Sequence, residues 1–490
     1  MKLSAMQIQA IVDATKTPTP EQVRVVEAPR RPLLVVAGAG SGKTETMSMR
    51  VLWLLANHPD LTPASILGLT FTRKAAGELG DRLRERIRLL SREMPQMRER
   101  LDEDPVALTY NSFAERIVSE HGMRIGIDPD FSMLSEAGAL DMMTQIVEAW
   151  PTDLDEELRP IDAVPQVLHL AGELAEHGFT VERAREALEE LGRELSQVGD
   201  TNAEARKLLR ANRRRLAFLG PIVTYQQRKR EMGVLDFSDQ LVLATRIVRE
   251  APAVRAALRE EFRAVLLDEF QDTSVIQMEL LSTLFGDHAV TAVGDPNQAI
   301  YGWRGASASS LETFLDRFQT GAPEAGQTLT LSTAWRNDVA ILDAANRVAA
   351  PLREVASYQQ GKDALKAQSP VLVPRKGAGQ GTVEIAYTQV YEDALAATVD
   401  FVKRVRSQAT KEGKRRTVAV LSRRRKDFAF IDAALREAGI PTEIVGLGGL
   451  LDQPAVQDVR AALELAYDVE ASPWLARLLA GIDLGATDLM

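Results

Sequence analysis

The sequence predicts an α/β fold in which a parallel sheet is interrupted by an all-helical insertion. Three observations point to it: short apolar runs end in glycines or paired acids, a long charged helical tract separates an early set of such runs from a later set, and one run opens a glycine-rich loop. The length of 490 residues suggests roughly three structural units, and 45% apolar with 26% charged residues supplies a normal globular core.

The first strand is expected at Leu33-Leu34-Val35-Val36, which breaks into Ala37-Gly38-Ala39-Gly40-Ser41-Gly42-Lys43-Thr44, with a helix from Glu45 through Leu55. A second is expected at Ile66 to Thr72, followed by a helix opening at Lys74-Ala75-Ala76. From about Thr109 to Arg215 strand-like runs are scarce and charged helical stretches dominate, which reads as an insertion. Strands return at Ala264-Val265-Leu266-Leu267 and Val290-Thr291-Ala292-Val293, each ending in acids. The Gly/Pro-rich stretch Thr320 to Gly326 reads as a domain hinge. Beyond it, Gly381 to Tyr387 and Thr417 to Leu421 are expected as strands of a second α/β unit, with a helix over Tyr391 to Val405 between them.

Composition excludes several classes of function. There is no cysteine, hence no disulfide framework, thiolate metal site or cysteine nucleophile. The net charge of −10 argues against holding nucleic acid by bulk positive charge, so any basic surface must be local. The start of the chain has no signal-like apolar core, and no apolar run approaches the roughly 18 residues of a membrane span; the expected location is cytoplasmic, with no membrane partner.

Ala37 to Thr44 is a Walker A loop with Ala37 in the position usually held by glycine. Successive backbone N–H groups in such a loop form a nest for phosphate oxygens, Lys43 would neutralise the β/γ-phosphates of ATP and the Thr44 hydroxyl would ligate Mg2+. The complementary half is Val265-Leu266-Leu267-Asp268-Glu269. An acid at the end of a buried strand, Asp268, can reach the same magnesium, and Glu269 is placed to orient or deprotonate the attacking water. These elements define an NTPase and no more.

Discrimination comes from Gly294-Asp295-Pro296-Asn297-Gln298-Ala299-Ile300-Tyr301-Gly302-Trp303-Arg304-Gly305-Ala306. It joins a strand end to a polar group able to sense phosphate, Gln298, and to two aromatics beside an arginine. In a chain with 5% aromatic residues, Tyr301 and Trp303 read either as a stacking platform for unpaired bases or as buried packing.

Asp268-Glu269-Phe270-Gln271-Asp272-Thr273 together with Gly302-Trp303-Arg304-Gly305-Ala306 resembles the UvrD/Rep family of superfamily 1 DNA helicases, and the likeness runs in order from about Thr19 to about Ala480. The resemblance implies P-loop ATPase domains of RecA-like fold: a first domain over 1–108 and 217–320, an inserted helical subdomain over 109–216, an incomplete second RecA-like domain over 327–470, and the start of a second helical insertion at 471–490. It implies that Gln22 reads the adenine edge, that Trp335 stacks on adenine where relatives use tyrosine, and that Arg336 reaches the γ-phosphate across the cleft as an arginine finger. It further implies that Phe71, Tyr301 and Trp303 form the pockets through which bases step, that Thr109 and Ser112 contact the DNA backbone, and that Gln298 couples the phosphate site to the base platform. Asn111 stands where many relatives have His. Glu45 stands where some carry Arg, which removes a nucleotide contact, and Pro296-Asn297 replaces an acidic pair.

Two late family motifs, one with a second phosphate-facing arginine, are not in the sequence, so the expectation is the front portion of a longer ATP-dependent 3′-to-5′ DNA translocase and helicase acting in repair or recombination. It would work on single-stranded and partly duplex DNA. The alternatives are an ATP- and DNA-binding module with little or no turnover, and the motor part of a helicase–nuclease complex with a partner subunit. A basic run from Lys403 to Lys426 reads equally as a phosphate track and as a solvated surface.

Overall fold

The computed structural model describes residues 2–128, 131–155, 158–197, 203–302, 310–319, 321, 326–358, 368–408, 413–445, 454–467, 474–475 and 477–478. The chain divides into two compact units, Met1–Val383 and Glu384–Met490.

The first unit is built on a six-stranded sheet, every pairing of which is parallel. Its strands are β1 (Leu33–Ala37), β2 (Ile66–Thr70), β3 (Val106–Thr109), β6 (Ala264–Leu267), β7 (Val290–Gly294) and β8 (Gln327–Leu331), in the order β3-β2-β6-β7-β1-β8. Two-residue pairs lie apart from it: β4 (Ser132–Met133) with β5 (Val234–Leu235), and β9 (Thr333–Ala334) with β10 (Val373–Pro374). Alternate residues of each strand serve opposite layers, as a sheet covered on both faces requires. Leu34, Val36, Leu67, Leu69, Val265 and Leu267 join one core with Phe113, Phe270 and Phe285, whereas Leu33, Val35, Ile66 and Leu266 join a second with Val51, Leu83 and Ile87.

The helices that cover the sheet begin where their caps dictate. Helix Arg73–Glu93 starts at Thr72, whose hydroxyl accepts the Ala75 N–H at 3.1 Å, and buries Ala76, Leu79, Leu83, Ile87 and Leu90 at helical spacing. Helix Lys43–Asn57 starts at Gly42, whose φ of +80° glycine adopts without strain. Inside this helix Arg50 is fully buried and has no carboxylate partner among the described residues. Its guanidinium donates to the carbonyls of Val25, Val26, Ala28 and Pro29 and to the Thr291 hydroxyl, and burial lowers its pKa to about 10. It thereby pins the segment before β1 to the sheet.

Three boundaries differ from expectation. Helix Tyr110–His121, placed in the insertion, packs Tyr110, Phe113, Ile117 and Val118 into the sheet core. The helical insertion has its own core, in which Met143, Ile146, Val164 and Val167 meet Phe218, Leu219, Ile222 and Tyr225, so helix Ala203–Met232 runs straight through the expected limit at 216. Gln327–Leu331, expected to open a second domain, pairs with β1 and forms an edge of the first sheet. Apart from Gly321 and Gly326, the hinge residues 321–326 lie outside the described residues, as does Thr320.

In the second unit, helices Tyr391–Ser407 and Phe428–Glu437 enclose a small cluster of Val402, Leu435 and Ile440, with Val399, Val418 and Ile431 against it. The expected helix is present. The expected strands are not: among the described residues, 381–387 and 417–421 carry no strand ladder, and Ile385, Tyr387 and Leu421 are 91%, 98% and 92% exposed. A parallel strand has no sequence-local partner, so its pattern alone does not form it. Of the expected second insertion at 471–490, only 474, 475, 477 and 478 are described. Helix Pro454–Tyr467 precedes it.

Candidate nucleotide site and nucleic-acid interface

The predicted site residues gather along one edge of the first sheet, the carboxyl ends of its strands, where open α/β sheets bind ligands. Ala37 to Thr44 follows β1, Phe71 follows β2, Thr109 ends β3, Asp268 and Glu269 follow β6, Gln298 lies beyond β7, and Trp335 and Arg336 lie beyond β8.

The phosphate loop is held by backbone contacts. The Gly38 N–H donates to the Leu331 carbonyl at 3.1 Å, the Ser41 N–H to the Gly38 carbonyl at 3.2 Å, and the Trp335 N–H to the Gly40 carbonyl at 2.8 Å. The last contact sets the Trp335–Asn337 segment against the loop: a Cβ at Gly40 would lie 3.1 Å from the Arg336 Cβ, and one at Gly42 would lie 3.6 Å from Trp335 Cδ1. Arg336 therefore lies beside the phosphate loop, in the segment that follows β8 and β9. Trp335 is 41% exposed, leaving ring surface for stacking. Gln22 is buried; its amide oxygen accepts the Thr19 N–H and its amide nitrogen donates to the Thr46 hydroxyl at 3.2 Å, so the expected adenine reader also caps its own helix, Pro20–Val26.

Three carboxylates crowd the end of β6. Asp268 is raised to about 6, chiefly by burial and then by the charge of Glu269, and Asp272 is raised to about 6 for the same two reasons in the same order. The Lys43 ammonium lies 3.4 Å from Glu269 Oε2 and is itself largely buried. Glu269 has φ +48°, a left-handed conformation that costs a non-glycine residue about 1–2 kcal/mol and is typical of strained functional positions. A site with surplus negative charge suits a divalent cation. Thr44 and Asp268 would be its protein ligands, a small set that matches Mg2+, which keeps water and phosphate oxygens in its shell. Ser41 Oγ, buried without a hydrogen-bond partner inside the loop, fits an additional acceptor or donor from a bound nucleotide. The residues present thus fit both ATP and Mg2+.

Toward the other side of β6, Phe71 and Tyr301 meet with ring centroids 4.6 Å apart and planes tilted by 30°. The two rings fill the space between them, so an unpaired base would have to stack on an outer face or part them. Trp303 and the Arg304-Gly305-Ala306 that follow lie outside the described residues. A cleft of about 560 Å³ opens here, lined by Phe71, Thr109, Ser112, Asp272 and Gln277 on the sheet side and by Leu168 and His169 from the helical insertion. Thr109 caps helix Tyr110–His121, accepting the Ser112 N–H at 3.0 Å and lying 2.8 Å from the Ser112 hydroxyl. Both expected DNA-backbone contacts are therefore committed to a helix cap at the cleft wall. Asn111 accepts from Gln277 Nε2 at 3.2 Å.

Other positions singled out in the sequence have structural partners. Glu45 pairs with Arg86 of helix Arg73–Glu93, tying two helices together. Gln298 Nε2 donates to Asp295 Oδ2 at 2.6 Å. In the basic run, Arg404 pairs with Glu384 and Arg424 with Asp427, Lys403, Arg406 and Arg415 line a hollow of about 430 Å³, and Lys411 lies outside the described residues. Sequence reasoning gave no role to Gln271, Asp272, Asp295 or Arg50, although the first three sit inside motifs it quoted. No helix among the described residues is long and apolar enough to cross a membrane.

Comparison with known proteins agrees with this geometry. Residues 18–319 match the family model described as the UvrD/REP helicase N-terminal domain. DNA helicase II of Escherichia coli K12 is 27% identical over 448 residues, covering 91% of this chain and 54% of the relative. ATP-dependent DNA helicase PcrA of Leuconostoc citreum is 26% identical, covering 96% and 55%, and a probable DNA helicase II homolog of Rickettsia felis is 25% identical, covering 95% and 63%. The chain spans little more than half the length of the first two and under two thirds of the third. With a parallel sheet that gathers a Walker loop, its paired acids and an aromatic pair at one edge, and a family match over most of that sheet, the chain belongs to the UvrD/REP helicase family.

Proposed function

We propose that this chain is the N-terminal portion of an ATP-dependent DNA helicase that translocates 3′-to-5′ along single-stranded DNA and acts in cytoplasmic DNA repair or recombination. The observation that carries the reading is the placement of the phosphate loop and of the Phe71–Tyr301 pair at the same sheet edge, on either side of the acids that follow β6. In this reading the loop N–H groups and Lys43 hold the phosphates, Thr44 and Asp268 hold Mg2+, and Glu269 takes the proton of the attacking water. Bound Mg2+ would supply charge neutralisation at the phosphates. Trp335 stacks on the base, Gln22 reads its edge, and Arg336 stabilises charge on the γ-phosphate. Phe71, Tyr301 and Trp303 hold unpaired bases, with Thr109 and Ser112 beside the backbone. The second RecA-like domain, from the segment after β8 onward, belongs to the same proposal.

The test is ATP turnover with and without single-stranded DNA, in the chain and in Glu269→Gln. DNA-stimulated turnover that Glu269→Gln reduces by at least about a hundredfold, with nucleotide binding retained, is expected; turnover unchanged by the substitution would sink the role of Glu269. A second reading, a nucleotide- and DNA-binding module with little turnover, is favoured by two contacts. Glu269, which must be free to accept a proton, is engaged by Lys43 and Gln271. Binding of both ligands without turnover would select it. Service as the motor of a helicase–nuclease complex extends the first reading, and co-purification of a nuclease subunit is its measurement.

A further inference from the structure

Gln271 sits between the two halves of the site with its side chain fully committed. It is 2% exposed. Its Nε2 donates to Glu269 Oε2 at 2.9 Å and to Asp272 Oδ2 at 3.2 Å, and its Oε1 accepts the Asp295 N–H at 3.0 Å. The orientation of the amide is fixed by chemistry: its donor end meets two carboxylates and its acceptor end meets an N–H, so a flipped amide would face repulsion at each end. Its seat depends on Gly294, because a Cβ there would lie 2.8 Å from Gln271 Oε1 and 3.1 Å from its backbone nitrogen.

The contacts of Gln271 lead in two directions. One passes through Glu269 to Lys43 at the phosphate loop. The other passes through Asp272, which lines the cleft together with Phe71, the ring partner of Tyr301. Gln298 reaches this system only through Asp295, whose carboxylate also accepts from the Asn297 N–H at 3.0 Å and from the Ser369 hydroxyl. Gln298 therefore braces the loop after β7, and among the described residues its side chain makes no hydrogen bond to Lys43 or Glu269.

We propose that Gln271 is the positioning residue that couples the nucleotide site to the base platform, by tying the Glu269 carboxylate to Asp272 at the wall of the cleft that Phe71 lines. This rests on the function proposed above and adds to it the residue that links the two ligands. Loss of a γ-phosphate contact at Lys43 or Glu269 and displacement of the Phe71–Tyr301 pair by a base would each be felt through one shared amide. Coupling of this kind is reciprocal and is measured as a ratio of affinities, with no need for turnover.

The experiment measures the affinity of the full chain for a fluorescent oligothymidylate with and without saturating AMP-PNP and Mg2+. The wild-type chain is expected to show at least about a fivefold change. In Gln271→Met, which keeps volume and removes all three hydrogen bonds, the ratio of the two affinities should fall to within about twofold of unity, whatever the separate affinities become. Asp272→Ala, which cuts the link on the cleft side only, should do the same, and it decides the matter if Gln271→Met does not fold. Coupling retained in a folded variant overturns the role of Gln271 and leaves the proposed function standing. A wild-type ratio of one with both ligands bound does the same. A wild-type chain that binds neither ligand overturns the proposed function itself.

Discussion

The units Met1–Val383 and Glu384–Met490 obey different economies of burial. In the first, both faces of the sheet are covered, and side chains as large as Phe113, Phe262, Phe270, Phe285 and Arg50 are almost fully removed from water. In the second, two helices close on Val402, Leu435 and Ile440, while Ile385, Tyr387 and Leu421 face solvent. The difference teaches where the site obtains its rigidity. The phosphate loop, the acids after β6 and the Phe71–Tyr301 pair stand on the deep core of the first unit.

The largest expected effect is Arg50→Met. It leaves four carbonyls and the Thr291 hydroxyl without their buried donor and should cost about 3–5 kcal/mol, read as a drop in the denaturant midpoint of the main transition. A change below about 1 kcal/mol would show that the segment before β1 is held by something else. Next, Leu435→Ala should cost about 2 kcal/mol, at the low end for a buried leucine because its surroundings can collapse. The loss should register as faster amide exchange in helix Phe428–Glu437 while the main transition stays in place; a shift of that transition would mean the two units melt as one. Phe71→Ala should weaken oligothymidylate binding by about 1–2 kcal/mol in a fluorescence titration, and unaltered affinity would remove Phe71 from the platform. Smallest of all, Leu421→Ser should change stability by less than about 0.5 kcal/mol in a thermal melt, since the leucine is already in water; a larger loss would reveal a partner for that segment.

Local chemistry made much of the first unit legible. Strands β1, β2, β6 and β7 are apolar runs with punctuation at the ends, and their carboxyl termini carry residues whose types announce phosphate and metal chemistry. Strand β8, Gln-Thr-Leu-Thr-Leu, was hidden because an edge strand half open to water has no continuous apolar run, and β3 because four residues leading into a helix look like that helix's approach. Arg50 was invisible for a different reason. One arginine among Met47, Met49, Val51 and Leu52 reads as a solvated helix position, and only the fold brings four carbonyls to it. Gln271 was quoted as part of a motif yet assigned nothing, since its role comes from three partners whose convergence is tertiary. The segments of the second unit expected as strands show the converse limit. Alternation at Thr417 to Leu421 signals compatibility with a strand, but pairing depends on a neighbour that the pattern does not specify.

The left-handed backbone at Glu269 has a consequence for anyone who would stabilise this protein. Judged by backbone energetics alone, glycine is the better residue at φ +48°, and a consensus of propensity and packing would recommend it. That substitution would relax the turn after β6 and delete the carboxylate to which the proposed function gives the proton of the attacking water. Under the proposed function, thermal robustness and chemistry therefore pull in opposite directions at this single position, and a hardened variant selected by melting temperature alone is expected to bind without turnover.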